Sequence, residues 1–98
     1  MYARTITAAV VPGKTDEAVR VYNEEVVPLM KQQAGYVRST MLVDRANNTA
    51  MTISVWESKE ATTATGEGTD YLSQALDKLR GLVVPKSFSH WEVGTTDR

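Results

Sequence analysis

Along residues 2–11, Ala3, Thr5, Thr7 and Ala9 fall on one side of an extended chain. Tyr2, Arg4, Ile6, Ala8 and Val10 fall on the other, a period-2 pattern that predicts a strand with one small, rather polar face. Pro12-Gly13 ends it. Ala18, Val19, Tyr22, Val26, Leu29 and Met30 then recur at three- and four-residue spacing, which predicts a helix reaching about Ala34. Thr15 is the expected cap, and Asp16 and Glu17 suit a first turn where the helix dipole favours negative charge. Gly35 suits the stop. Pro28 lies inside this helix, where it should remove one backbone hydrogen bond and kink or divide the last turn.

Residues 36–44 predict a second strand, and 44–49 (DRANNT) read as turn chemistry, since Asn and Asp tolerate left-handed backbone. The third strand, Ala50–Glu57, sets Met51, Ile53 and Val55 against Thr52, Ser54 and Trp56. Ser58 caps a short helical turn around Lys59–Thr65, and Gly66-Glu67-Gly68 breaks it. Thr69 opens a further helix with Leu72, Ala75, Leu76 and Leu79 on one stripe and Gly81 at its end. Leu82–Val93 holds the last strand. The order β-α-β-β-α-β is the ferredoxin-like arrangement, an α+β fold with an antiparallel sheet. Two helices cover one face of such a sheet and leave the other bare. Strand 3 leans apolar on one side and carries an aromatic on the other, while strand 2 sets Val37, Met41 and Val43 against Tyr36 and Leu42. The bare face therefore calls for a partner, and a two-fold homodimer packed sheet on sheet would bury it.

At 98 residues the chain makes one small domain, placed here at residues 1–94 with a loose tail over 95–98. It has no cysteine, which excludes disulfides, zinc ribbons, thiolate nucleophiles and cysteine-ligated haem or iron–sulfur. One histidine leaves no self-contained histidine-rich metal site, and no metal is expected. Eleven basic against 12 acidic residues give a net charge of −1, which argues against nucleic acid. No apolar stretch approaches the roughly 20 residues of a membrane span, so no membrane partner is expected. The N-terminus lacks a signal peptide's features, so a cytoplasmic location is the default.

What remains is hydroxyls, carboxylates and aromatics. Trp56, beside Thr52 and Ser54 on one strand face, reads either as a pocket wall that stacks on a planar ligand or as a core indole closing the helix–sheet layer. His90, the chain's one imidazole, alternates with Phe88 and Glu92, so it reads as a general base or as an exposed edge residue. Arg4 and Arg38 could together form an anion site, although surface solvation is the simpler expectation. Asn47-Asn48-Thr49 matches a glycosylation acceptor but reads as a hairpin turn. Gly66-Glu67-Gly68 is no phosphate loop; it reads as a flexible break or a pocket lid.

The run GYVRSTMLVDRANNTAMTISVWESKEA (Gly35–Ala61) resembles the centre of the antibiotic biosynthesis monooxygenase family. There a helix ends in Gly-aromatic, two strands pair through a short polar turn, and the third strand closes on aliphatic-Trp before a Ser-Lys-Glu-Ala-like step. The opening strand with Pro-Gly-Lys, the first helix with its late proline, and the closing HWEV extend the likeness over about residues 2–94. The resemblance implies protomers that pair into a dimeric α/β barrel. It further implies oxidation of planar, electron-rich aromatics (phenols, anthrones, quinols) by O2 with no cofactor, neither metal nor flavin. Haem degradation, the chemistry of a second branch, is disfavoured. That branch's histidine on the helix after the tryptophan is missing from Ala61–Leu79, and Thr5 and Thr7 stand where its strand-1 asparagine would be.

By this resemblance Trp56 matches the strand-3 tryptophan that lines the family's pocket, while Thr52 replaces the asparagine that precedes it in the phenol-oxidising branch. The expectation is then a homodimer that binds a small aromatic ligand. Trp56 would form the wall, Thr5, Thr7, Thr52 and Ser54 the polar contacts, and Tyr71 or His90 would handle the proton. A dimeric barrel that binds a small molecule or serves in stress without catalysis is the alternative.

Overall fold

The computed structural model describes residues 1–97. Four strands form one antiparallel sheet in the order β2-β3-β1-β4, where β1 is Tyr2–Val10, β2 Tyr36–Asp44, β3 Thr49–Trp56 and β4 Val83–Glu92. The helices α1 (Thr15–Val21), α2 (Val27–Lys31), α3 (Lys59–Ala64) and α4 (Asp70–Lys78) come from the two crossovers and cover one face. The expected ferredoxin-like order is therefore present. Residues 94–97 follow β4 without regular structure, and Arg98, part of the expected tail, lies outside the described residues.

The first crossover departs from a kinked α-helix. Tyr22–Val26 forms a π-helical turn between α1 and α2, with the Val27 N–H bonded to the carbonyl of Tyr22. Pro28 is the second residue of α2, directly after that turn. A wide turn thus replaces the expected kink, and such turns recur at functional sites. Thr15 does not cap the helix; Lys14 holds that position without a side-chain bond, and Thr15 is buried in the first turn. Ser58 and Thr69 do cap, accepting from the N–H groups of Ala61 and Leu72.

Gly35 shows why a glycine precedes the aromatic of β2. Its φ is +82°, and a Cβ there would lie 2.7 Å from the Cβ of Ala61. The Glu57 N–H donates to its carbonyl at 2.8 Å, so β2's start, β3's end and α3 meet there without room for a side chain.

The sheet's two faces are unlike, and register fixes which side chains share each. Tyr2, Arg4, Ile6 and Ala8 of β1 lie beside Trp56, Ser54, Thr52 and Ala50 of β3, and this face meets the helices. The polar side of β3 is therefore the inner one, while Met51, Ile53 and Val55 face outward. In β2 the register shifts between Tyr36 and Arg38, leaving Val37 as the extra residue of a bulge. Tyr36, Ser39 and Met41 consequently all turn inward, and the simple alternation that put Tyr36 opposite Met41 is broken.

Candidate functional site

Between the inner sheet face and the helices lies a void of about 50 Å³, in an envelope of about 620 Å³ that includes its solvent-open mouth. Its walls are mostly aliphatic, from Ile6, Val26, Met30, Met41, Leu76 and Leu79. Five side chains bring polar atoms to it: Arg4, Tyr22, Thr52, Ser54 and Tyr71. This mixture of an apolar enclosure with a few convergent polar groups is what a small-molecule site requires.

Trp56 stands one layer behind. It is fully buried and does not line the void, but it holds four groups that do or that flank it. Its Nε1–H donates to Ser54 Oγ at 2.9 Å. The ring of Tyr71 meets it edge-on with centroids 6.2 Å apart, and Tyr36 does so from the other side at 5.5 Å. The Arg4 guanidinium carbon lies 5.4 Å from its centroid, within cation–π range. The indole expected to be a wall is thus the buttress of the wall.

Tyr71 reaches the site from the first turn of α4, which the Thr69 cap positions. Burial pushes its phenol up to about 12, against the opposing pull of Arg4. Tyr22 comes from the π-turn and shares a hydrogen bond with Ser39; burial raises its pKa as well. Both phenols therefore keep their protons at neutral pH and act as hydrogen-bond donors.

Of the other expected site residues, Thr52 and Ser54 line the void and Thr5 and Thr7 do not. Those two face the opposite side of the sheet, where Thr5 Oγ1 accepts from Trp91 Nε1 at 2.9 Å and Thr7 bonds to Ser87. His90 pairs with Arg4 across β1 and β4 but is exposed on the edge strand, in an open groove with Lys59, Glu67 and Glu92. It has no contact with the void. The expected Arg4–Arg38 pair does not exist, because β3 separates their strands and the two residues face opposite ways.

Arg4 is also not solvated. Its side chain is 1% exposed, and its Nη1 donates to the Thr62 carbonyl at 3.2 Å and weakly to Thr65 Oγ1 at 3.4 Å. Gly66 closes over it, with a Cβ position 3.8 Å from Nη1 and 3.0 Å from the Thr62 carbonyl, so the Gly-Glu-Gly break begins as a packed clamp. Arg4, Tyr22 and Tyr36 are the site-forming residues that the sequence hid. For Arg4 the available signal was its place in the same alternation as Ile6, Ala8 and Val10, a pattern that puts it among core residues.

Solved structures with this fold include SnoaB, a cofactor-independent oxygenase from Streptomyces nogalater, at a TM-score of 0.72 and 23% identity over 97% of this chain and 95% of that one. The ActVA-Orf6 monooxygenase of Streptomyces coelicolor, in complex with nanaomycin D, matches at 0.72 and 20% identity over 99% and 91%. A putative antibiotic biosynthesis monooxygenase from Nitrosomonas europaea matches at 0.73 and 13% identity over 97% and 100%. No curated protein matches the sequence. A family model does, over residues 1–75, a span holding β1 to β3, Trp56, Tyr71 and the clamp around Arg4: this chain belongs to the antibiotic biosynthesis monooxygenase family.

Proposed function

We propose that the protein is a cofactor-independent monooxygenase whose substrate is a small planar aromatic of the phenol, anthrone or quinol type. The observation that carries this is the aliphatic cavity in which Tyr71, Ser54, Thr52 and Arg4 converge. The descriptions of SnoaB as a cofactor-independent oxygenase and of ActVA-Orf6 as a monooxygenase support it. The chemistry balances without a reductant. An anthrone methylene gives up two hydrogens, one atom of O2 becomes the new carbonyl, and the other leaves as water. The protein's task is then to hold the ring, exclude bulk water and place donors at its oxygen.

In this scheme Tyr71 donates a hydrogen bond to the substrate oxygen and Ser54, fixed by Trp56, orients the ring. His90 takes no part, since it lies outside the cavity. Admitting a ring requires the void to widen. The unbranched side chains of Met30 and Met41 and the Leu76 side of α4 are the parts of the wall suited to yield.

The outer sheet face completes the proposal. Trp91 is 57% exposed there, Leu42 lies exposed beside Met51 and Ile53, and a second copy packed by a two-fold axis covers this face. Sedimentation at micromolar concentration is expected to show a dimer, and a monomer overturns that part. For the reaction, oxygen uptake with a panel of anthrones and quinols is expected in air. The anaerobic control should stay unreacted, and Tyr71→Phe should lower kcat at least ~10-fold. Saturable quenching of tryptophan fluorescence with no O2-dependent product would replace catalysis with the non-catalytic binding role.

A further inference from the structure

Arg4 carries more than the cavity's polarity. Its guanidinium is buried, and no carboxylate among the described residues lies within ion-pair distance of it. Its Nε is the one buried side-chain polar atom without a hydrogen-bond partner among the described residues. The groups facing it are the phenols of Tyr22 on the π-turn and Tyr71 on α4, with Glu67 in the α3–α4 link contributing a more distant negative charge. Of these, only Glu67 is a carboxylate, and it is exposed.

A buried cation without a counter-ion is expensive to keep, because desolvation costs several kcal/mol and is normally repaid by a paired anion. A guanidinium also cannot shed its charge near neutrality. The inner face therefore holds a permanent positive charge against an aliphatic cavity of low polarisability, where its field is little screened. Three acceptor contacts tether the terminal nitrogens on the Thr62–Thr65 side, all at 3.2 Å or longer, and the Nε–H stays unused. A neutral ligand would leave the charge as it is. A ligand with an ionised oxygen would complete it.

We propose that Arg4 is an anion anchor: the cavity takes its aromatic ligand through a negatively charged oxygen, either an ionised phenol or a carboxylate, set against the guanidinium. This rests on the cavity being the ligand site of the proposed function, and it narrows the ligand class. For a phenol, the proton leaves to bulk water on binding, since the neighbouring tyrosines hold their own. The anchor then does the work of a base by favouring the phenolate.

Three planar probes of nearly equal size separate the terms: p-nitrophenol, p-nitrobenzoate and the uncharged p-nitroanisole. Binding to the full-length protein is followed by quenching of tryptophan fluorescence, and nitrophenol ionisation by its phenolate absorbance. Wild type is expected to bind at least one of the two anions ~10-fold or more tightly than nitroanisole. Preference for nitrobenzoate alone identifies a carboxylate ligand. A bound nitrophenol that ionises about one unit or more below its free pKa identifies a phenolate. Arg4→Met should abolish the discrimination and Arg4→Lys retain part of it. Nitroanisole binding as tightly as both anions, discrimination persisting in Arg4→Met, or no binding of any probe overturns the anchor. If Arg4→Met does not fold, the wild-type comparison decides alone. Oxygen uptake with anthrones is measured separately. Anion preference without turnover removes the oxygenase and leaves the anchor, while turnover without anion preference does the reverse.

Discussion

Two tryptophans make the same bond on opposite faces of one sheet. Trp56 donates through Nε1 to Ser54 Oγ at 2.9 Å, and Trp91 donates through Nε1 to Thr5 Oγ1 at 2.9 Å. Trp56 is fully buried, ringed by Tyr36, Tyr71 and the Arg4 guanidinium, whereas Trp91 is 57% exposed. The bond is the same, so the difference lies in what surrounds it. The inner indole locks a finished packing arrangement behind the cavity. The outer one lies on an open face of the protomer, the face that the proposed dimer would cover.

The largest expected effect tests the inner half of that contrast. Trp56→Ala should cost about 3–5 kcal/mol in urea unfolding, since it opens a cavity bounded by two tyrosines and a cation. Trp91→Ala should cost the isolated protomer no more than about 0.5 kcal/mol, as expected of an exposed position. Equal losses would mean that the two faces are not energetically different.

The outer half is tested by association. In the proposed dimer Trp91 becomes a buried aromatic anchor, and Trp91→Ala should then weaken dimerisation by about 2 kcal/mol, or roughly 30-fold in Kd, by sedimentation. Replacing Ile53 by Glu on the same face should do at least as much, because the carboxylate would be desolvated without a partner. Unchanged association in both variants would place the dimer contact elsewhere.

Much of this fold can be read from the chain. Alternation marks all four strands to within a residue or two, and the caps Ser58 and Thr69 sit where hydroxyls precede helical spacing. Two things escape. Which face is interior does not follow from hydrophobicity, because β3 turns its Thr52-Ser54-Trp56 side inward, adding two hydroxyls to a mostly aliphatic cavity, while the apolar Met51, Ile53 and Val55 point to the outer face. The bulge at Val37 has no sequence signature beyond the alternation it breaks, so Tyr36's turn toward Trp56 is visible only in the register. The site is half legible for the same reason. Tyr71, Thr52 and Ser54 line the cavity, while Thr5 and Thr7 share their polarity but lie on the opposite face of the sheet. Arg4 looked like surface because an unpaired guanidinium in a core is uncommon.

The contrast in solvation also predicts a pH dependence. Tyr71's phenol is near 10 in the unfolded chain and pushed up to about 12 in the folded one, chiefly by burial. Below pH 10 both states keep the proton and its contribution to stability is constant. Between 10 and 12 the unfolded chain releases a proton that the folded chain retains, so rising pH favours unfolding. Two pH units of this are worth at most about 2.7 kcal/mol, and water reaching the phenol brings the expectation to about 2 kcal/mol. Tyr22 and Tyr36 shift in the same direction and add to the slope. Tyr71→Phe should therefore flatten the decline above pH 10 by about 2 kcal/mol without abolishing it. An unchanged slope would mean that the inner face is wetter than its packing implies.

The smallest effect isolates the matched bonds themselves. Ser54→Ala leaves the Trp56 N–H buried with no acceptor, and an unmade buried bond costs about 1–3 kcal/mol. Thr5→Val does the same to Trp91, but water can reach an indole that is more than half exposed, so the cost in the protomer should stay within about 0.5 kcal/mol. The pair is compared at low concentration, where dimer linkage does not contribute, and again at high concentration. If the outer face is an interface, the Thr5→Val penalty should grow with concentration toward that of Ser54→Ala, because the partner removes the water that rescued the Trp91 N–H. The Ser54→Ala penalty should not change, since Trp56 is already enclosed within its own protomer. A Thr5→Val penalty that ignores concentration would show that Trp91 keeps its water, and that the second face of this sheet is finished by solvent.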